Sequence, residues 1–251
     1  KALADLPVAE RAARLRQPEV REQVLGEQDE LAGGLGPMMG VMLGHAVGRL
    51  FSLAFPVDYE PDPSQSVKAL ARAQGVEPLH YLYDRMTEGD GTTFFALLGN
   101  NFNAGTLEPC REMLLDPYTV SGLSDAGAHV MMISDCSSST FHLTHWVRDR
   151  GLLSIERAVQ RLSSDTADFV GLSGRGTLRP GAAADLNVID WDQLSLPVPE
   201  FVHDLPEGAG RWIQRGEGFV ATVVNGRIAL EHGEHTGEMP GTVLRSGPDE
   251  R

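Results

Sequence analysis

The stretch Thr119–Val130 (TVSGLSDAGAHV) places a carboxylate and an imidazole where an apolar run ends, at Asp125 and His129. A carboxylate at a strand end can take a proton from a polarised water and return it to a leaving group. Gly122 and Gly127 permit a tight backbone around Asp125. An aspartate can equally cap the turn that follows a strand, and position alone leaves both interpretations open.

Further polar candidates lie beside this position and after the preceding apolar run. His129 could bind a metal, contact substrate or donate a hydrogen bond to a nearby carbonyl. Ser124 immediately precedes Asp125, and Asn100 follows the earlier apolar run in the equivalent loop. An asparagine amide can orient a substrate carbonyl or carboxylate, although asparagines are also common in turns and helix caps. We therefore take His129, Asn100 and Ser124 as substrate-binding candidates.

Cys136, in SDCSSST, raises the alternative of a nucleophile activated by His142 or His145. Its spacing to those histidines forms no recognisable triad, so a serine-rich loop is the preferred interpretation. His142 and His145 fall three residues apart on a predicted helix beside Trp146, where they can share a packed face.

The chain has 251 residues and a mass of 27.2 kDa, enough for one large core or two modest ones. Its formal net charge of −14 repels phosphate backbones, which argues against a nucleic-acid partner. Cys110 and Cys136 lie far apart without a CxxC motif, which argues against a disulfide scaffold and favours the cytoplasm. The apolar segment Leu35–Phe55 contains glycines, His45 and Arg49, so we expect it to be buried or partner-facing rather than in a membrane.

The elements that must position these side chains begin with helices. LPVAERAARLRQPEVREQVLGEQ predicts two helices broken at Pro18. Ser66 can cap a helix that ends at Gly75, where a left-handed residue is natural. Pro78 falls in the first turn of the helix that follows.

Strand signals begin with TTFFALLGNN, a short apolar run typical of a strand buried on both faces. NAGTLEPCREMLLDP predicts a helix with Thr106 or Asn103 near its start, and YTVSGLSD predicts a second buried strand. Consecutive helices are predicted from Phe141 to Leu172. This order predicts parallel βα units, although two strands do not close a barrel.

The sequence becomes rich in strand signals from Gly174 onward. ADLNVID alternates apolar and polar residues, and Asn225-Gly226 joins two strand-like runs in FVATVVNGRIALEHGEH as a tight hairpin turn. His232 and His235 flank this hairpin and are expected in exposed loops.

GTLRPGAAADLNVID closely resembles the G-x-L-x-P-G-x-x-A-D signature of the amidohydrolase superfamily, at which the chain leaves a barrel for a small β-sandwich. ATVVNGRI matches the V-x-V-N-G hairpin that follows that signature. SGLSDAGAHV, LTHWVRDRG, HDLP and GEHTGEMPGTVLR resemble the N-acyl-D-amino-acid deacylase (D-aminoacylase) branch. The resemblance extends from about Ser66 to Arg245.

This resemblance implies an α/β fold, namely the C-terminal part of a (β/α)8 TIM-like barrel with an inserted helical region, plus part of a small β-sandwich. Residues 1–172 would form the barrel part with its insertion, and residues 173–251 the segment that contributes to the sandwich. It also implies hydrolysis of a linear amide in a small N-acyl amino acid, with a divalent metal, zinc first among the candidates. The aspartate of the last barrel strand maps onto Asp125, which would act as general base and then acid and could also bind the metal.

The sequence also departs from the family pattern. The first-strand His-x-His, the bridging ligand and the later metal-binding histidines have no match here, and His45 and His80 lie in helical or glycine-rich surroundings. We therefore expect this chain alone to bind the metal weakly or not at all, because Asp125 lacks imidazole partners. Lys1 is not an initiator methionine, so we interpret the chain as part of a longer protein. An incomplete barrel exposes strand edges, which predicts association with a missing N-terminal part or self-association.

Two other functions stay open. Within the superfamily, the chain could belong to a cyclic-amide hydrolase of the hydantoinase or dihydroorotase kind. From a different class comes a catalytically silent fragment that only binds a partner. A nucleic-acid or membrane function fits neither the charge nor the hydropathy.

Overall fold

The computed structural model describes residues 3, 5–26, 46–122, 124 and 137–244. The chain divides into two compact units, Lys1–Cys110 and Arg111–Arg251. The helices are α1 (Val8–Leu15), α2 (Pro18–Gly26), α3 (Val67–Gln74), α4 (Pro78–Met86), α5 (Glu108–Leu115), α6 (Ser138–Phe141), α7 (Ile155–Leu162) and α8 (Ser164–Phe169), and α6 continues into a π-helix at His142–Asp149. The strands are β1 (Leu50–Leu53), β2 (Phe94–Leu97), β3 (Leu186–Ile189), β4 (Glu200–Val202), β5 (Arg211–Ile213), β6 (Phe219–Val224), β7 (Arg227–Glu231) and β8 (Glu234–His235). This mixture of helices and sheets confirms an α/β fold, and the domain boundary between residues 172 and 173 stays a prediction.

In the first unit, the ends of α3 follow the signals in the sequence. Ser66 Oγ accepts a hydrogen bond from the Ala69 N–H at 3.2 Å, which caps the first turn. Gly75 ends the helix with a φ of 68°. Val67 and Ala71, on the buried face of α3, are 1% and 0% exposed. The predicted helix is therefore confirmed at both ends.

Strands β1 and β2 pair antiparallel, with Phe51 opposite Ala96. The Phe51 side chain is buried, and its ring meets the Phe102 ring edge to face at 5.7 Å between centroids. Strand β2 is the strand predicted from TTFFALLGNN, but it is only partly buried, with Leu97 55% exposed, so the prediction of burial on both faces is wrong. Its partner is antiparallel, as are all strand pairs in the described residues. The parallel pairing predicted from the element order is therefore not found there.

The described part of YTVSGLSD, residues 118–122 and 124, contains no strand. Asp116 Oδ1 accepts from the Tyr118 N–H at 2.7 Å, and the Thr119 hydroxyl lies within hydrogen-bonding distance of the Asp116 and Met113 carbonyls. Local side-chain to backbone bonds of this kind compete with a strand ladder. The prediction of a second strand is wrong for these residues, because the turn after α5 takes up the backbone that a ladder would need.

The second unit has its core where the π-helix, α7 and the loop after β3 meet. Leu143, Ala158 and Leu194 are 6%, 0% and 1% exposed. Partly buried apolar side chains surround them: Val147, Leu153, Leu162, Ile189, Trp191 and Phe219. In the described ranges, no helix is both long and apolar enough to cross a lipid bilayer.

The C-terminal strands form a four-stranded antiparallel sheet in the order β3–β6–β7–β8, and β4 and β5 form a separate pair. The turn between β6 and β7 is Asn225-Gly226, with φ of 48° and 78°. Two positive φ values in a two-residue loop are those of a type I′ hairpin. The predicted hairpin is therefore confirmed.

A polar network ties the superfamily signature to this hairpin. The Asp185 carboxylate accepts from the Asn225 N–H at 2.8 Å and forms an ion pair with Arg175. Arg175 Nη2 also donates to Asn225 Oδ1 at 3.1 Å, and the Gly226 N–H donates to the Ala184 carbonyl at 2.9 Å. The two motifs by which the superfamily was recognised thus hold one another in place.

Candidate functional site

The sequence candidates for chemistry fall in both units. Asp125 and His129 lie outside the described residues. Asn100 opens a 3-10 turn three residues after the end of β2 in the first unit, so it follows its strand as predicted. Ser124, in the second unit, is half-buried. The roles of all four residues stay predictions.

The segment that leads to Ser124 is anchored by a buried arginine of α7. Arg161, 2% exposed, donates from Nη2 to the carbonyl and to the hydroxyl oxygen of Thr119, both at 3.1 Å. Two residues further along, the Ser121 hydroxyl is buried and has no hydrogen-bond partner among the described residues. Burying a guanidinium costs free energy unless its N–H groups are hydrogen-bonded. The two bonds to Thr119 therefore offset part of the cost of burying Arg161.

The electrostatic surroundings of Arg161 contain charges of both signs. Burial lowers the pKa of Arg161, and the neighbouring Arg157 lowers it further, while Asp165 and Asp116 oppose this shift. Arg157 is itself paired with Asp165 at 2.9 Å. Within the described part of the chain, Arg161 Nε is buried without a partner. The guanidinium nevertheless stays charged at neutral pH.

His142 is a second buried basic side chain in this region. It begins the π-helix and is 6% exposed, and its Nε2 atom has no hydrogen-bond partner in the described ranges. Burial lowers the pKa of His142, and the charge of Arg161 lowers it further. The imidazole is therefore neutral at pH 7.

Arg161 is a buried charge that was not predicted from the sequence. An arginine on an amphipathic helix normally reads as a solvent-exposed charge. Arg161 lies three residues after Ala158, which is 0% exposed, so both side chains fall on the buried face of α7. The helical period thus places Arg161 on the face of Ala158, but the contact that keeps its charge buried is with a distant residue, Thr119.

His145 packs rather than joining a catalytic group. Its ring stacks on Phe141 at 4.5 Å between centroids, with 13° between the ring planes. It also meets the Trp146 ring edge to face at 4.6 Å. This matches the packed face that the sequence predicted for the histidines beside Trp146.

The serine-rich stretch after Cys136 is a helix start rather than a loop, and Cys136 itself lies outside the described residues. Residues 138–141 form α6, so the loop prediction is wrong for them. The Ser137 hydroxyl donates to Gln214 Oε1, and both side chains are buried. Gln214 Nε2 donates onward to the Pro197 carbonyl at 2.7 Å. Ser137 therefore belongs to a buried hydrogen-bond chain, and the nucleophile hypothesis for Cys136 stays untested.

Three further histidines lie at exposed positions or on a helix. His232 and His235 are exposed, as predicted, and His235 Nδ1 accepts from the Gly237 N–H at 2.9 Å. His80 lies on α4, and His45 lies outside the described residues. In the described ranges, no three His, Cys, Asp or Glu side chains cluster so that they could hold a metal ion. These residues do not supply a metal site by themselves.

Comparison with known proteins gave matches of three kinds. A sequence profile described as the amidohydrolase family matches residues 43–230. An uncharacterized protein of Mycobacterium tuberculosis is 30% identical over 192 residues, which cover 71% of this chain and 31% of that protein. An N-acyl-D-aspartate deacylase from Alcaligenes xylosoxydans xylosoxydans is 39% identical over 108 residues, covering 40% of this chain and 18% of that enzyme. A solved D-aminoacylase variant in complex with copper chloride has 23% identity and a TM-score of 0.45, covering 79% of this chain and 38% of its own.

These matches confirm the recognised superfamily and its D-aminoacylase branch. The chain spans about a third of the length of the first relatives it matches.

Proposed function

Because the chain belongs to the amidohydrolase family, we propose that it is part of a hydrolase that cleaves a linear amide bond in an N-acyl amino acid. The observation that carries this proposal is the family match over residues 43–230, which includes both SGLSDAGAHV and the GTLRPGAAADLNVID signature. The similarity to an N-acyl-D-aspartate deacylase supports N-acyl-D-amino acids as the substrate class.

Asp125 is the proposed general base and then general acid. It takes a proton from the attacking water as the water oxygen adds to the amide carbonyl. It returns the proton to the nitrogen as the C–N bond breaks, which releases a carboxylate and a free amine. His129, Asn100 and Ser124 are proposed to orient the substrate.

A divalent ion, with zinc first among the candidates, would polarise the carbonyl and lower the pKa of the water when bound. Asp125 is this chain's proposed contribution to that site. In the described ranges, no three His, Cys, Asp or Glu side chains cluster so that they could hold the ion. The described side chains therefore do not complete a metal site by themselves, and metal binding needs further donors.

The finer architecture belongs to the same proposal. Residues 1–172 would belong to a barrel with an inserted helical region, which the N-terminal part of the full-length protein completes. Residues 173–251 would contribute to a β-sandwich, for which the four-stranded sheet β3–β6–β7–β8 is the supporting feature. We propose a cytoplasmic location, since the two cysteines lie far apart in sequence.

The experiment compares amide and ring substrates with the full-length, zinc-loaded protein. N-acetyl-D-methionine, N-acetyl-D-aspartate and their L-enantiomers are tested for amine release, and hydantoin is tested for ring opening. We expect turnover of the N-acyl-D-amino acids. Preferential ring opening of hydantoin would instead indicate a cyclic-amide hydrolase and overturn the proposal.

A pair of aspartate variants then tests the role of Asp125. Asp125→Asn should lower kcat by about 10² to 10⁴-fold, the range typical of a lost general acid–base group. Asp192→Asn, at an exposed position after β3, is the matched control and should retain kcat. An unchanged kcat in Asp125→Asn would contradict the proton-transfer role.

A further inference from the structure

We propose that Asn225-Gly226 is a site of spontaneous deamidation that the fold keeps unreactive, because hydrogen bonds to Arg175, Ala184 and Pro240 hold the two groups that would react. It is the only Asn-Gly pair in the sequence. The inference is independent of the proposed hydrolase function.

Deamidation joins the side chain of an asparagine to the backbone of the residue that follows it. The Gly226 nitrogen would lose its proton and attack Asn225 Cγ, so that a C–N bond forms and the side-chain nitrogen leaves as ammonia. Water then opens the succinimide ring at either carbonyl, which leaves aspartate or isoaspartate. Glycine favours this reaction, because it has no Cβ to hinder the approach of its nitrogen.

Burial does not protect this pair. Asn225 and Gly226 are both exposed at the turn between β6 and β7, so water and hydroxide reach them. If exposure alone governed the reaction, the folded chain would deamidate here as fast as the unfolded chain. Any protection must therefore come from the contacts of the turn itself.

The first set of contacts holds the side-chain amide that would be attacked. Asn225 Oδ1 accepts from Arg175 Nη2 at 3.1 Å, and Asn225 Nδ2 donates to the Pro240 carbonyl at 2.7 Å. Ring closure needs Cγ aligned with the Gly226 nitrogen, and it changes Cγ from planar to tetrahedral. Because this change moves Oδ1 and Nδ2 away from their partners, the two bonds oppose it.

The second contact holds the nitrogen that would attack. The Gly226 N–H donates to the Ala184 carbonyl at 2.9 Å. A hydrogen bond donated by the neutral form disfavours loss of the proton, since the resulting anion would face a carbonyl oxygen. The attacking form of Gly226 is therefore disfavoured while this bond is closed.

The products of deamidation would disturb the network around the turn. Asp185 pairs with Arg175 through one carboxylate oxygen and accepts from the Asn225 N–H through the other, at 2.8 Å. An aspartate at position 225 would lack the donor to Pro240 and add a negative charge beside Asp185. Isoaspartate would also lengthen the backbone of the turn by one carbon atom. Either product should therefore weaken the contact between the signature strand and the hairpin.

The experiment follows the tryptic peptide of residues 216–227, GEGFVATVVNGR, by mass spectrometry while the full-length protein is incubated at pH 8. Folded wild type should deamidate at least about tenfold more slowly than the same protein unfolded in guanidinium chloride, because bonds that break before the attack raise its barrier. Arg175→Met should raise the rate in the folded protein at least about threefold, since it removes one of these bonds. The peptide is identical in wild type and variant, so the rates compare directly.

Two further variants separate lost contacts from general destabilisation. Gln214→Met removes buried hydrogen bonds elsewhere in the second unit and should keep the wild-type rate. If Arg175→Met does not fold, Arg175→Lys keeps a cation beside Asp185 without the guanidinium fork and should still raise the rate.

Three outcomes would overturn the proposal. The first is an equal rate in folded and unfolded wild type. The second is an unchanged or slower reaction in the arginine variants, and a slower one would mean that the guanidinium activates the Asn225 carbonyl. The third is an equal increase in Gln214→Met, which would assign the effect to unfolding. A separate measurement tests the consequence: Asn225→Asp should unfold at a lower urea concentration than wild type, and an unchanged midpoint would contradict it.

Discussion

His142 and Arg161 lie close together in the interior of the second unit, 6% and 2% exposed. The charge of Arg161 disfavours protonation of the His142 imidazole. Burial is the larger cause that lowers the pKa of His142, and the charge of Arg161 adds to it. The folded protein therefore favours the neutral imidazole, because protonation would bury a second cation beside the first.

The first prediction is a loss of stability in mild acid. The pKa of His142 is lowered in the folded state, so the unfolded chain binds this proton more readily as the pH falls below the ordinary value of 6.5. The contribution of neutral His142 to the free energy of unfolding is fully present above pH 6.5. It is lost as the pH falls through the pKa of His142 in the folded protein. Urea unfolding between pH 8 and pH 5 measures it, and tryptophan fluorescence reports the second unit because all three tryptophans lie there.

Two variants isolate the His142 contribution. His142→Gln should show a smaller loss of unfolding free energy on acidification than wild type, even if it is less stable at pH 8. His232→Asn is the control, because His232 is exposed and its φ of 48° suits asparagine. A wild-type pH dependence in His142→Gln would contradict the assignment.

The second prediction separates two causes of glycine preference. At Gly226, φ is 78° and an added Cβ would meet nothing closer than 3.9 Å, so Gly226→Ala should cost only the left-handed backbone, about 1–2 kcal/mol. At Gly218, φ is 88° and an added Cβ would lie 2.7 Å from backbone atoms of Leu194 and 2.9 Å from the Asp190 carbonyl. Gly218→Ala should therefore cost about 3 kcal/mol or more in urea unfolding. Equal costs at the two sites would show that the close backbone approach does not matter.

The third prediction concerns the network of Arg175, Asp185 and Asn225. Asp185→Ala removes the ion pair with Arg175 and the acceptor of the Asn225 N–H, so it should lower the free energy of unfolding by about 2 kcal/mol. The matched control is Glu238→Ala, which breaks the more exposed pair with Arg227 and should cost less than about 1 kcal/mol. A similar cost for both variants would mean that the network acts as an ordinary surface ion pair.

The fourth prediction concerns the buried hydrogen bond between Ser137 and Gln214. Gln214→Met leaves the Ser137 hydroxyl and the Pro197 carbonyl without that partner, so we expect a loss of about 1–3 kcal/mol in urea unfolding. Adding Ser137→Ala to this variant should cost less than Ser137→Ala alone, because the orphaned hydroxyl is removed. Strict additivity of the two changes in a double-mutant cycle would argue against their coupling.

The sequence predicted those parts of the fold that local chemistry determines. Ser66 and Gly75 carry the capping chemistry of α3, and Pro18 begins α2 after the break in the first helical stretch. The turn at Asn225-Gly226 needs two left-handed residues, which these two adopt readily. Each of these signals acts within a few residues, so no knowledge of distant partners was required.

The partners of the strands were harder to predict, because pairing depends on distant segments. Strand β2 was recognised by its apolar run, but its antiparallel partner β1 lies within a stretch interpreted only as buried or partner-facing. At Thr119, the side chain bonds to nearby carbonyls and so removes the strand that the apolar pattern suggested.

In the candidate site, too, locally determined features were predicted and features that depend on distant partners were not. Asn100 was found after its strand because strand ends can be read from the sequence. The buried role of Arg161 depends on its contact with a residue 42 positions away, and a charged side chain on a helix gives no local hint of such a contact.

The network of Arg175, Asp185 and Asn225 also has an evolutionary consequence. Its three residues make hydrogen bonds and an ion pair that join a β-strand to a hairpin, and they do so without reference to Asp125. Selection for a folded chain would preserve them in a gene copy that had lost the carboxylate proposed to be catalytic. Inactive descendants of this lineage should therefore retain the arginine, aspartate and asparagine of this network.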